Sequence, residues 1–219
     1  MKKELYFKAE TIQAKAQEIL ASVEPSLRGR GSVHFHPDRA ALLVLDMQEY
    51  FLRETSHAFL PSAEAIIPGI QKLIQTFHTF ERPVIFTRHT NTLADAGQMA
   101  FWWKDLLGQD TPESRIIPEL DTKKGVVLGK HQYDAFYKTE LEKMLSANGV
   151  GEVVVTGLMT HLCCETTARS AFMRGFKVFF AVDGTATYNE AFHRAAVLNL
   201  AHGFAIPVLT EDIFMACFK

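Results

Sequence analysis

Residues 152–163 read Glu152-Val153-Val154-Val155-Thr156-Gly157-Leu158-Met159-Thr160-His161-Leu162-Cys163. The short apolar run Glu152–Thr156 has the composition of a strand buried on both faces, and the stretch behind it, ending at Arg174-Gly175, reads as a helix. The same alternation spreads outward from this unit. Upstream, Ala41-Leu42-Leu43-Val44-Leu45 is a first strand. It is followed by a helix carrying Ile66, Ile67, Ile70, Leu73, Ile74 and Phe77 at three- and four-residue spacing. Pro83–Thr87 and Gly125–Leu128 are the second and third strands, with a helix around Lys138–Asn148 stopped by Gly149. Downstream, Lys177–Val182 is a fifth strand with a helix across Glu190–Ala201. Ala205–Leu209 is a sixth, placed at an edge because Pro207 cannot donate to a ladder. Buried strands alternating with amphipathic helices predict an α/β fold: a three-layer, Rossmann-like, mostly parallel six-stranded sheet with helices on both faces.

Composition agrees. The chain has 219 residues, 47% hydrophobic and 22% charged, enough to bury roughly 70–75% of its unfolded surface without a disulfide or metal staple. The 23 basic and 25 acidic side chains give a net charge of −2. That balance argues against a nucleic-acid partner and against an acidic tail. No apolar run reaches the roughly 20 residues of a membrane helix, and the mixed charges of residues 1–20 exclude a signal peptide. Three cysteines are too few, and odd in number, for a disulfide framework. The expectation is a cytoplasmic protein with a small-molecule substrate, no cofactor, no metal, and no membrane partner.

Two regions stand outside the repeating pattern. Residues 1–22 read as a helix with apolar points at Leu5, Ile12, Ile19 and Leu20, and Pro25, Arg28–Gly31 and Pro37 read as a linker. No core pattern is visible before Ala40, so residues 1–36 are expected to form an N-terminal helical arm, either gripping a second subunit or capping its own domain, with the main domain at 37–219. The second region is Arg88–Lys124, a long irregular insertion carrying Phe101-Trp102-Trp103, with a helix expected through Gln98–Leu107. Insertions of this length often form a lid or a binding wall.

In an open parallel sheet, ligands bind outside the carboxyl ends of the strands. Strand one ends in Asp46, strand three in Gly129-Lys130, and strand four leads to Cys163. An acid, a cation and a thiol therefore leave three strands at one edge. At the start of a helix, Cys163 would meet free backbone N–H groups that favour a thiolate, and Asp46 could accept its proton. The expected signature is a depressed thiol pKa and fast iodoacetamide labelling near neutrality. Cys164, one helical step on, should turn away into packing, and Cys217 is read the same way.

These residues lie in segments that resemble the isochorismatase-like hydrolases: Ala41–Phe51, Gly129–Phe136, Gly157–Ala168 and Asp183–Thr187, in order, over some four-fifths of the chain. The resemblance implies an Asp-Lys-Cys triad of Asp46, Lys130 and Cys163. It also implies a cis peptide joining Leu158 to Met159, which would aim the Met159 and Cys163 N–H groups at an oxyanion. The implied activity is hydrolysis of a small amide, ureido or carbamoyl C–N bond through a thioester, in a homodimer or homotetramer. Two departures qualify it. The stretch Glu49–His57 lacks the Asp-x-His metal pattern of nicotinamidases, which sets that subfamily and its metal aside. The Asp46–Leu52 segment resembles true isochorismatases, which cleave a vinyl ether by acid catalysis and typically have glycine where Cys163 stands. Isochorismatase, and a non-catalytic ligand-binding relative, are thus the alternatives. With the chain ending soon after the sixth strand, a carrier-domain fusion is not expected.

Candidate substrate contacts are Gln48, Arg88, Tyr133, Phe136, His161 and Trp102. Arg88 and its neighbour His89 follow strand two, and Arg88 suits a carboxylate. Trp103 is the alternative to Trp102 at the ligand, and Asp183 is expected to be structural. His34-Phe35-His36 is expected to be a surface feature rather than a metal site.

Overall fold

The computed structural model describes residues 2–27, 34–103 and 105–218. Six parallel strands form one sheet: β1 (Ala40–Leu45), β2 (Val84–His89), β3 (Val126–Lys130), β4 (Glu152–Leu158), β5 (Lys177–Ala186) and β6 (Ile206–Val208). Their order is β3-β2-β1-β4-β5-β6. Helix α1 (Ile12–Leu27) precedes the sheet. The short α2 (Glu49–Leu52) and α3 (Ile67–Thr79) follow β1, α4 (Met99–Trp102) follows β2, and α5 (Leu141–Ala147) follows β3. Helices α6 (Glu165–Met173), α7 (Glu190–Gly203) and α8 (Thr210–Ala216) follow β4, β5 and β6. Helix α3 packs with α8, and α1 packs with α7, which also touches α6. All six residues of β1 and all seven of β4 are buried, as their uninterrupted apolar runs require. Among the described residues no helix is long and apolar enough to cross a membrane.

The chain order runs β1-β2-β3 to one side and β4-β5-β6 to the other, so the direction reverses between β1 and β4. A crevice opens at that switch point, outside the carboxyl ends of the two strands. Their register is continuous from Ala40↔Glu152 to Leu45↔Gly157. Gly157 has φ +105°, and a Cβ there would lie 2.1 Å from the Leu45 carbonyl oxygen. Only glycine lets β4 approach β1 this closely where both strands end.

Several expectations need correction. The N-terminal helix begins at Ile12, not residue 1, and continues through Pro25 to Leu27. A proline near the end of a helix forfeits one i→i−4 bond without ending it. The segment before it lacks regular structure yet buries Tyr6 and Phe7, and α1 buries Ala16, Ile19 and Val23. An extended segment that buries two adjacent aromatics shows no periodicity, which is why the core pattern was invisible before Ala40. The central part of the expected linker, 28–33, lies outside the described residues. His34 and His36 are exposed, as expected; between them Phe35 packs edge-on against Phe179, and His36 contacts Glu152 through Nδ1 at 2.7 Å. The helix expected over 98–107 shrinks to Met99–Trp102. Strand β3 is an edge strand whose Val126 and Val127 are nearly half exposed, so its apolar run does not mark burial.

Candidate active site

Asp46 is the first residue past β1, with φ 50°. That left-handed conformation is uncommon outside glycine, although aspartate adopts it more readily than most. Here it ends the strand and turns the carboxylate into the crevice. On β2, Thr87 donates from Oγ1 to Asp46 Oδ1 at 2.6 Å and accepts from the Asp46 N–H at 3.0 Å. Oδ1 is thus committed, and Oδ2 faces Lys130.

Lys130 closes β3, two strands away from β1. With strands roughly 4.8 Å apart, only a long side chain can cross β2. Its Nζ lies 2.8 Å from Asp46 Oδ2, and both side chains are fully buried. The same Nζ donates to the Gln132 carbonyl at 2.9 Å and to Cys163 Sγ at 3.3 Å. His89, paired in register with Lys130, brings Nδ1 to 3.5 Å from Nζ while its Nε2 lies 2.7 Å from Asn91 Oδ1. Because Asn91 Oδ1 can only accept, Nε2 carries the proton and Nδ1 turns its lone pair to the ammonium.

Cys163 sits in a π turn, Thr160–Cys164, that leads from β4 into α6. Turns of this kind are rare and concentrate at functional sites. Its defining bond runs from the Cys164 N–H to the Met159 carbonyl, 3.2 Å. The Leu158–Met159 peptide is cis. Cys164 is fully buried on the other side, its Sγ 3.9 Å from the Thr156 carbonyl, as its helical offset predicts.

The electrostatics differ from the sequence expectation. Burial pushes the Cys163 thiol up to about 12, with Lys130 pulling against it and Asp46 pushing further. The resting group is a neutral thiol, not a thiolate. Burial also opposes ionisation of Asp46, but Lys130, His89 and Thr87 outweigh it and hold the carboxyl below its usual range. Burial likewise disfavours the Lys130 ammonium, and Asp46 more than compensates, raising its pKa. His89 is pushed down to about 4 by burial and then by Lys130. At neutral pH the site therefore holds one carboxylate, one ammonium, one neutral imidazole and one thiol.

These groups meet at a cavity of about 600 Å³, open mouth included, lined by Asp46, His89, Met159 and Cys163 at its base. Tyr133 lines it, its hydroxyl accepting from Trp103 Nε1 at 2.7 Å. The other proposed contacts are elsewhere. Gln48 is buried, donating from Nε2 to the carbonyls of His89 and Ser114. Arg88 turns to the opposite face from His89: Nε donates to the Ser114 carbonyl at 2.9 Å, and Nη2 reaches Ser114 Oγ and the Gln109 carbonyl. Phe136 packs on Phe176. His161 stacks on Phe192 with Nδ1 2.6 Å from Thr187 Oγ1. Trp102 is 78% exposed and outside the cavity, whereas Trp103 lines it. Asp183 accepts from the N–H and hydroxyl of Thr210, holding the start of α8.

Residues 40–212 match the isochorismatase domain. The chain belongs to the isochorismatase family. Within it, the chain is similar to Nicotinamidase 3 of Arabidopsis thaliana, 43% identical over 76% of this chain and 82% of that protein. It is 30% identical to Enterobactin synthase component B of Escherichia coli over 83% of this chain, spanning 65% of that longer protein. Among solved structures, a cysteine hydrolase from Pseudomonas syringae pv. phaseolicola superposes with a TM-score of 0.81 at 27% identity, covering 85% of this chain and 95% of that one. As a family member the chain is a hydrolase by relationship. Among the described residues no three His, Cys, Asp or Glu side chains are grouped to hold a metal ion. At the cavity, His57 is paired with Asp105 and His89 is turned to Asn91.

Proposed function

We propose that this protein is a cysteine hydrolase that cleaves a small C–N substrate, a carboxamide first among them, through a thioester on Cys163. The observation that carries this reading is the contact of one buried ammonium with both partners, Lys130 Nζ at 2.8 Å from Asp46 Oδ2 and 3.3 Å from Cys163 Sγ. Asp46 Oδ2 takes the thiol proton as Sγ bonds to the carbonyl carbon, so no thiolate need exist at rest. The Met159 and Cys163 N–H groups are the proposed donors to the oxyanion. Asp46 returns the proton to nitrogen, the C–N bond breaks, and ammonia or an amine leaves. Water then attacks the thioester with Asp46 as base, the C–S bond breaks, and the thiol is restored. Lys130 holds carboxylate and sulfur in register throughout.

The relationship to Nicotinamidase 3 returns nicotinamide to the substrate panel, although the sequence lacks the Asp-x-His pattern that had set it aside. Isochorismate is the second reading, favoured by the 30% identity to Enterobactin synthase component B. Hydroxylamine added during turnover separates the mechanisms. A thioester is diverted to the hydroxamate, in proportion to hydroxylamine, while ammonia release continues. Amide turnover with no hydroxamate at any hydroxylamine concentration contradicts the covalent route.

A further inference from the structure

The walls of the active-site cavity carry a consistent charge pattern. Five aromatic rings line it, Tyr50, Phe51, Trp103, Tyr133 and Tyr188. At its base the Asp46 carboxylate is neutralised by Lys130. At its mouth stands a second carboxylate, Asp105, with a side chain 57% exposed and Oδ2 2.8 Å from His57 Nδ1. His57 in turn has Nε2 3.2 Å from the Tyr50 hydroxyl. Among the described lining residues there is no lysine or arginine. The cation that the sequence offers for a substrate carboxylate, Arg88, is spent on Ser114 and Gln109. Lys3 stands behind the wall, donating to the His57 carbonyl and lying 5.5 Å from the Tyr188 ring centre. A ligand carboxylate entering this cavity would lose water without meeting a lysine or arginine among the described lining residues, and would face Asp105.

We infer, on the hydrolase reading above, that the cavity takes an uncharged planar amide and rejects amides that carry a carboxylate, with Asp105 as the specificity-determining residue. The aromatic walls supply flat apolar faces to a planar ring. The same bias acts on the product. Hydrolysis adds water to a neutral amide and gives ammonia and a carboxylic acid, which ionises at neutral pH. The product carboxylate then meets the field that excluded anionic substrates, so it leaves readily and inhibits weakly.

The test is equilibrium binding to Cys163→Ala, which needs no turnover. The two probes are 3-nitrobenzamide and 3-carbamoylbenzoate, isosteric and differing by one charge. The neutral ring is expected to bind at least tenfold more tightly. Asp105→Lys should narrow that ratio at least fivefold, Asp105→Asn by less. Lys104→Ala, a change at the sequence neighbour of Asp105, should leave the preference for the neutral ring. Equal or tighter binding of the anion overturns the inference. So does a ratio unmoved by Asp105→Lys, or no measurable binding of either ring. Ammonia release by the wild-type protein is read separately: its failure with every amide removes the hydrolase reading, whereas the binding ratio judges the charge selectivity alone.

Discussion

Adjacent strands β1 and β4 each bury a carboxylate, at opposite ends of the sheet. At the amino end, Glu152 opens β4 with its side chain fully buried. It is met by His36 Nδ1 at 2.7 Å, Lys177 Nζ at 3.1 Å and Arg39 Nη2 at 3.2 Å, all three partly exposed. At the carboxyl end, Asp46 follows β1 and meets a single cation, Lys130, as buried as itself. Both carboxyls are held below their usual range, Glu152 by His36, Lys177 and Arg39 against the opposing effect of burial. The stability each contributes is therefore complete above the unfolded carboxylate pKa of about 4. It fades as pH falls through the lower folded value. The difference lies in what surrounds them. Glu152 is surrounded by partners that reach solvent and are redundant. Asp46 has one irreplaceable partner, a thiol and a cavity. A buried ion pair is weak evidence for stability, because apolar replacements often do as well. The arrangement at the carboxyl end is therefore best understood as chemistry, and the one at the amino end as a lock between α1's downstream segment and the sheet.

This contrast predicts a large asymmetry between single substitutions. Lys130→Met strands Asp46 as an unpaired buried charge, and should cost about 3–5 kcal/mol of stability along with activity. Arg39→Ala removes one of three exposed partners and should cost no more than about 1 kcal/mol, with activity unchanged. Chemical denaturation of the two variants measures both. Similar costs would mean that the two carboxylates are equivalent and the contrast is false.

A smaller effect concerns the thiol. With burial pushing Cys163 up to about 12, iodoacetamide should alkylate it more slowly at pH 7.5 than it alkylates glutathione. The rate should keep rising with pH through the alkaline range. A plateau below pH 8 would mean a thiolate at rest and would remove Asp46 as the base in the first step.

Much of this site was legible in the sequence. The strands betrayed themselves as short apolar runs, and the rule that ligands gather beyond strand ends led to Asp46, Lys130 and Cys163. The substrate contacts were not legible, for identifiable reasons. Arg88 and His89 are consecutive on β2, so alternation sends them to opposite faces, and the sequence alone does not say which faces the crevice. Thr87 orients Asp46 from across a strand boundary, a contact fixed by register. His161 is close to Cys163 in sequence, but the π turn directs it to Phe192. Gln48 follows Asp46 closely, yet its amide is consumed by the Ser114 and His89 backbones. Trp103, not Trp102, lines the cavity, and the helix expected at 98–107 is only four residues long. The thiol's protonation state also required three dimensions, because burial outweighs the helix terminus.

The central claim is that Cys163 carries the chemistry at this edge of the sheet. The direct measurement is ammonia release from nicotinamide and other small carboxamides by the wild-type protein and by Cys163→Ala, with folding checked by thermal denaturation. The account predicts turnover by the wild type and a loss of about 10⁴-fold or more in the variant, with the fold retained. Ammonia release by a folded Cys163→Ala protein at a rate near that of the wild type would contradict it.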